Sequence, residues 1–248
     1  MQEKPERVDT AAYSAWKGWD DTARFGVVAK GDKAYFDREL RNVRNPVVDV
    51  LEIGFGSGAF LAHCRSKGWN VTGTELSPEQ VAAGRAAGFK VHLAEALAEL
   101  PERSFDLVAA FDVLEHIPES DAVAFLGLLA SKTRLGGAIL LRYPNADTWL
   151  GNVFQYGDPT HVSEIGHYKM QYLADVAGLE IVAYRAPTRR GFRTSAIHGL
   201  HAATAGVIAK GIALVQKALY FPGLRVVLSS SNVVCVLSPR SQGRPSAR

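Results

Sequence analysis

The run Val48-Asp49-Val50-Leu51-Glu52-Ile53-Gly54-Phe55-Gly56-Ser57-Gly58 sets an acid two residues ahead of three glycines at alternate positions. Glycine lets a backbone turn sharply and approach a ligand where a Cβ would collide. An apolar strand that enters such a turn, followed by a helix whose first amides point back at it, seats a nucleotide-like cofactor. Spacing alone leaves two cofactors open, because Gly54-x-Gly56-x-x-Ala59 also satisfies the dinucleotide fingerprint. Glu75 follows 19 residues after Gly56. An acid there can accept hydrogen bonds from both ribose hydroxyls, and its place at the end of the second strand favours that role over an ordinary surface glutamate. A second constellation is Asp112, Glu115 and His116, spaced i, i+3, i+4, with His161 in the later segment Gly157-Asp158-Pro159-Thr160-His161. Carboxylates with imidazoles can hold a divalent ion. Either His116 or His161 could instead take a proton from a reacting hydroxyl. The plain alternative is that Glu115 pairs or caps within the domain and His116 is a hydrogen-bonded wall residue.

These residues need elements to bring them together. Strand patterns fit 48–53, 71–75, 90–94, 106–111, 137–143, 179–185 and 231–238, and helix patterns fit 58–67, 78–87, 119–132 and 168–178. Ser77 suits an N-cap with Pro78 at the first helical position, and Gly88 and Gly178 stand where helices stop. Two helices fit 11–45, the second near 31–43, before Pro46 ends the helical pattern. The alternation predicts an α/β fold with a doubly wound, mostly parallel seven-stranded sheet covered on both faces. Residues 1–45 would form an N-terminal helical cover, 46–240 the main domain and 241–248 a disordered polar tail, with residues 1–10 disordered as well. Both chemical constellations then fall on loops at the carboxyl edge of the sheet, where open α/β folds bind ligands. Residues 195–221 interrupt the alternation with a mostly apolar helical stretch broken by Lys210 and Lys217. It lacks a window of about 20 uncharged apolar residues, so a membrane span is not expected. A helical insertion packed on the domain is expected, with an amphipathic helix on a membrane or partner as the alternative.

A length of 248 residues and an apolar fraction of 47% suit one α/β domain with additions. The net charge of +3 conceals an asymmetry. Residues 1–180 carry 18 Lys/Arg against 25 Asp/Glu, whereas 181–248 carry 10 Lys/Arg and no acid. An anionic membrane or a phosphate-bearing substrate could use that basic third; a solvated face with a loose tail explains it equally. Aromatic-interleaved basic repeats are absent, so no nucleic-acid partner is expected. Cys64 and Cys235 lack metal-ligand spacing and read as buried thiols in a reducing compartment. The polar first ten residues do not resemble a secretory leader. The expected location is the cytoplasm, with peripheral contact at the inner face of the membrane as an option.

The stretch Phe105-Asp106-Leu107-Val108-Ala109-Ala110-Phe111-Asp112-Val113-Leu114-Glu115-His116-Ile117 resembles the fourth strand and following motif of class I S-adenosylmethionine methyltransferases. Leu135-Gly136-Gly137-Ala138-Ile139-Leu140-Leu141 resembles the turn into their fifth strand. Tyr143-Pro144-Asn145 and Gly157-Asp158-Pro159-Thr160-His161 resemble segments of the sugar and small-molecule O-methylating branches. The resemblance spans about 48–185 with its motifs in order. It implies that Gly54, Phe55, Gly56 and Gly58 bound the methionine and ribose of S-adenosylmethionine, with Glu52 orienting the loop or meeting the amino group. Glu75 would bind ribose and Leu76 pack on adenine. Glu95-Ala96 stands where an acid accepts from the adenine amine, and Phe111 and Asp112 would line the cofactor. Some members with a similar motif use Mg²⁺, which makes Asp112, Glu115, His116 and His161 metal candidates. His116 and His161 are the candidate proton acceptors. Tyr143, Asn145, Tyr156 and Asp158 are candidate substrate contacts by position. Tyr13, Trp16 and Trp19 would form a lid or pack the N-terminal helices. The implied reaction is O-methylation of a sugar, glycan or other small-molecule hydroxyl, in polysaccharide or natural-product biosynthesis. A quinone-type phenol, an amine or a carboxylate is the alternative acceptor. A non-catalytic cofactor-binding protein is the alternative of another class.

Overall fold

The computed structural model describes residues 16–17, 24–43, 46–189 and 194–240. The expectations for Tyr13, Trp19, residues 1–10 and the tail 241–248 lie outside them. The strands are β1 (Asp49–Ile53), β2 (Asn70–Glu75), β3 (Lys90–Leu93), β4 (Phe105–Phe111), β5 (Thr133–Pro144), β6 (Leu179–Arg185) and β7 (Asn232–Pro239). They form one seven-stranded sheet in the order β3-β2-β1-β4-β5-β7-β6. β1 to β5 pair in parallel, and β7 runs antiparallel to both β5 and β6. The helices are α1 (Lys30–Glu39), α2 (Ala59–Ser66), α3 (Pro78–Ala86), α4 (Glu119–Lys132), the short α5 (Asn152–Gln155), α6 (His167–Val176), α7 (Ala196–Ala203) and α8 (Ala205–Tyr220).

Local chemistry explains the boundaries. Ser77 Oγ accepts from Gln80 N at 3.2 Å, with Pro78 opening α3. α4 begins with Glu119 and Asp121 in its first turn and ends with Lys132, matching the helix dipole. Lys132 is buried, and its ammonium donates to the Ala98 and Leu100 carbonyls at 2.8 and 2.7 Å.

The sheet is buried on both faces, and alternation along each strand assigns residues to one face or the other. Leu51, Ile53, Val108, Ala110, Ile139, Leu141, Tyr143, Val233, Cys235 and Leu237 pack with Leu126 and Leu129 of α4 and Met170 and Leu173 of α6. Val50, Leu107, Ala109, Ala138, Leu140, Val234 and Val236 pack with Phe36 of α1 and Phe60 and Cys64 of α2. Both cysteines are free and buried.

The stretch 195–221 departs from expectation. It forms two helices divided at Thr204, where φ is −105° and ψ is −87°. It does not pack its large apolar residues on the domain. Ile197, Leu200, Val207, Ile208, Ile212, Leu214, Val215 and Leu219 are exposed, while Gly206, Ala209 and Ala213 occupy the more buried positions of α8. Apolar composition marks a helix as buried somewhere; it does not say which of its faces the domain takes.

Candidate active site

β1 delivers Glu52 and the glycine turn to the carboxyl edge. Gly54, Gly56 and Gly58 adopt φ of 65°, 49° and 73°, a region closed to most side-chain-bearing residues. A cavity of about 390 Å³ opens beside the turn. Glu52, Gly54, Phe55, Gly56, Phe111 and Arg142 line it, with Asp32, Tyr35 and Phe36 of α1 on its far wall. Glu52 is 4% exposed, and its Oε2 has no hydrogen-bond partner among the described residues. Burial, and then the charge of Glu75, pushes its pKa well above the ordinary carboxylate value.

Glu75 is buried at the end of β2 and turns back to the glycine turn. Its Oε2 accepts from Gly56 N at 2.9 Å and its Oε1 from Leu76 N at 2.7 Å. Leu76 beside it is exposed. Glu95 is exposed and Ala96 half-buried on a 3-10 turn, Ala94–Glu99, that follows β3.

At the end of β4, Asp112 takes φ of 56°, a strained value for a residue other than glycine. A two-pronged ion pair holds it there. Arg142 Nε donates to Asp112 Oδ1 at 2.8 Å, and Nη2 donates to Oδ2. Arg142 Nη1 also donates to Tyr35 Oη of α1 at 3.0 Å. Burial opposes the charge of Arg142, but Asp112 prevails and raises its pKa.

Beyond Asp112 the chain forms a 3-10 turn, Leu114–His116. Val162 N and Ser163 N donate to the Glu115 carbonyl at 2.9 and 3.1 Å, which fastens the distant Gly157–His161 segment to this turn. The fastening brings the His116 and His161 rings edge to face, 4.7 Å between centroids. His161 Nε2 lies 3.6 Å from Asp158 Oδ2 and 3.9 Å from Glu115 Oε1. Asp158 Oδ1 accepts from Thr160 N at 3.0 Å and from Thr160 Oγ1 at 2.6 Å, and Asp158 Oδ2 pairs with Lys17 at 2.8 Å.

The Thr160 hydroxyl spends its only proton on Asp158, so it meets His116 Nδ1, 2.8 Å away, as an acceptor. The Thr160 carbonyl, 3.3 Å from the same nitrogen, can only accept. Nδ1 therefore carries the proton, and the imidazole lone pair is on Nε2. Burial, and then the neighbouring His161, lowers the pKa of His116. Burial lowers that of His161 as well. Both rings are thus biased to the neutral, proton-accepting form. Burial, and then Asp112, raises Glu115 to about 8. Burial would raise Asp158 too, but Lys17 and Thr160 outweigh it and hold its carboxyl below the usual range.

Several expected residues fall elsewhere. Tyr143 cannot serve as a substrate contact: it is 1% exposed on the α4/α6 face of the sheet, one residue out of phase with the cavity. Asn145 is equally buried and acts structurally. Its Nδ2 donates to the carbonyls of Val227 and Ser230, at 2.9 Å for the latter, and its Oδ1 accepts from Asp147 N at 3.0 Å. Tyr156 is exposed, with its hydroxyl on Glu164 at 2.8 Å. Asp112 does not join the metal candidates, because Arg142 engages both its oxygens. Glu115, His116 and His161 do assemble, with ligand atoms all within 4.8 Å of one another. Trp16 is exposed. Arg142, Tyr35, Thr160 and Lys17 were not anticipated. Arg142 had a signal, because Glu52, Phe111 and Arg142 share the alternation of Val50, Ala109 and Leu140, which fixes a common face.

A family model described as "Methyltransferase domain" matches residues 27–184, more than half of the chain. The chain belongs to this methyltransferase family. Among curated proteins, the methyltransferase is 25% identical over 182 residues to the ubiquinone biosynthesis O-methyltransferase of Hydrogenovibrio crunogenus, covering 65% of this chain and 74% of that one. It is 28% identical over 147 residues to the enzyme of the same name from Aromatoleum aromaticum, covering 56% of this chain and 62% of that one. The match thus takes in less than two thirds of the second relative's length. Among solved structures, a SAM dependent methyltransferase from Archaeoglobus fulgidus superposes with a TM-score of 0.62 at 18% identity, over 83% of this chain and 92% of that chain. The fold is that of the class I S-adenosylmethionine-dependent methyltransferases, and the family makes S-adenosylmethionine the cofactor.

Proposed function

We propose that this methyltransferase O-methylates a hydroxyl of a small-molecule acceptor, of phenolic rather than sugar type, with His116 as the proton acceptor. The residues of the cavity and its surroundings fit the cofactor. The buried carboxyl of Glu52, whose Oε2 has no hydrogen-bond partner among the described residues, suits an ammonium group, the left-handed glycine turn leaves room for close backbone approach, and Glu75 and exposed Leu76 beside the turn suit ribose and adenine. When bound, S-adenosylmethionine supplies a methyl group on a sulfonium whose leaving group is already activated. The chain's own task is alignment and removal of one proton. His116 Nε2 would take the hydroxyl proton as the acceptor oxygen takes up the methyl group. The observation that carries this reading is the Asp158–Thr160–His116 relay, which fixes the tautomer with a lone pair on Nε2. Similarity to ubiquinone biosynthesis O-methyltransferases favours a quinone-type phenol over a glycan as acceptor. A phenol, with a pKa near ~10 as in tyrosine, also gives up its proton to an imidazole more readily than a sugar hydroxyl does.

The cluster of Glu115, His116 and His161 supports a second reading, in which these three side chains hold a divalent ion that would polarise the acceptor oxygen. The buried Glu115 Oε2, which has no hydrogen-bond partner among the described residues, suits such an ion.

The test is turnover on panels of phenols and sugars, with and without chelation. Phenols are expected to react and sugars not. His116→Ala is expected to lower kcat by about 10²–10⁴-fold with little change in affinity for S-adenosylhomocysteine. Unchanged kcat removes His116 from the mechanism. Loss of turnover on chelation, restored by added Mg²⁺, selects the second reading.

A further inference from the structure

The two helices between β6 and β7 leave most of their large apolar side chains exposed. Within α8, Ile208, Ile212, Val215 and Leu219 are 63%, 55%, 57% and 69% exposed. Their spacing of i, i+4, i+7, i+11 puts them on one stripe about 60° wide. The opposite face carries Gly206, Ala209 and Ala213, so α8 turns its small residues to the protein and its large ones outward. Gly206 has a packing reason: a Cβ there would stand 2.7 Å from the Arg189 guanidinium, which donates to the Ser229 carbonyl at 3.1 Å. α7 extends the surface with Ile197 and Leu200, 80% and 61% exposed.

Charge and topology say what covers this face. Residues 181–248 contain 10 Lys/Arg and no acid, and Lys210 on α8 and Arg225 just after it are exposed. An apolar stripe with basic residues and no acid suits the headgroup region of an anionic bilayer. Spanning the bilayer is excluded by length and connectivity. The 25-residue stretch Ala196–Tyr220 would be long enough as one helix, but it is divided at Thr204. The 16 residues of α8 reach about 24 Å, short of a hydrocarbon core of about 30 Å. β6 leaves the sheet and β7 re-enters it at the same carboxyl edge, and the two strands pair with each other. A single crossing between them would put paired strands on opposite sides of the membrane.

We propose that the exposed face of α7 and α8 docks the protein in the interfacial plane of an anionic lipid bilayer. The docking element leaves the same sheet edge that carries the glycine turn and the histidine cluster.

The test is co-sedimentation of the full chain, without methyl acceptor, with vesicles of phosphatidylcholine alone or mixed with phosphatidylglycerol. At least tenfold stronger binding to the anionic vesicles is expected, weakening as salt rises. Ile212→Glu with Leu219→Glu is expected to abolish it. Both side chains are solvent-exposed, so the circular dichroism spectrum and S-adenosylhomocysteine affinity should be unchanged. Lys210→Gln with Arg225→Gln, which leaves the apolar stripe intact, is expected to reduce the preference for anionic vesicles. The proposal is overturned by absence of binding at low salt, or by binding that Ile212→Glu with Leu219→Glu leaves intact. It is overturned as well by a second copy of this chain on the face, seen as a dimer that this variant dissociates. None of these outcomes bears on the His116 reading, which is decided by turnover.

Discussion

Glu52 combines three properties: it is buried, it has a carboxylate oxygen without a hydrogen-bond partner among the described residues, and it lines the cavity. Its folded pKa lies well above the unfolded value of 4.5, so the native state keeps the proton longer than the unfolded chain. Its contribution to stability is therefore complete below about pH 4.5 and is lost as pH rises toward the folded pKa. Glu52→Gln should remove that loss. In thermal melts without ligand, the variant is expected to match the wild type near pH 4.5 and to gain on it toward pH 8. Meeting an ammonium group would ionise Glu52. Cofactor binding at a pH below the folded pKa of Glu52 should then release more protons in the wild type than in Glu52→Gln, read by calorimetry in buffers of different ionisation enthalpy. Equal proton release in the two proteins would separate Glu52 from the ammonium.

The glycine turn works as an element only with its surroundings. Gly58 caps α2 at φ 73°, and a Cβ there would lie 2.5 Å from Phe25 Cε1. Phe25 packs edge-on against Phe55 of the turn and against Phe89, each at 5.9 Å between centroids. Gly88 has nearly the same φ, 74°, but nothing within 4 Å of its Cβ position. The pair separates backbone strain from crowding. Gly88→Ala should cost about 1 kcal/mol, the strain alone. Gly58→Ala should cost about 2–4 kcal/mol, because Phe25 must also move. It should weaken cofactor binding too, through the displaced Phe55. Equal stability losses in denaturant titrations would mean that Phe25 gives way freely.

For the whole molecule, the cavity beside β1 and the domain share one core, so ligand binding should stabilise everything at once. S-adenosylhomocysteine at 100 times its Kd adds about 2.7 kcal/mol to unfolding. For a domain of this size that corresponds to roughly 5–10 °C in Tm, measured by scanning fluorimetry. NAD at the same concentration should leave Tm in place, since the acid-led glycine turn belongs to a methyltransferase domain. The surface divides along the same lines as the sequence. The acid-bearing first 180 residues build β1 to β5 and most of the site, and the acid-free remainder contributes most of β6, the exposed helices and β7, which inserts between β5 and β6.

The local code was legible because it is written over a few residues. Two-residue alternation, glycine and proline punctuation and the Ser77 cap locate every strand to within a few residues, and the glycine turn announces a nucleotide-like cofactor without choosing between two. Tertiary structure decided what those periods leave open. Tyr143 and Arg142 are adjacent, yet only Arg142 reaches the cavity, because the sheet must be packed before it is known which face meets α1 and α2. His161 reaches His116 only through the backbone bonds to the Glu115 carbonyl, a contact between segments with no shared pattern. Asp112 falls outside the metal candidates because Arg142, 30 residues on, claims its carboxylate. Which side of α8 the protein buries follows from the room beside Arg189, which accepts a glycine and turns the isoleucines outward. Spacing along the chain determines which residue types are available; packing determines which of them face one another.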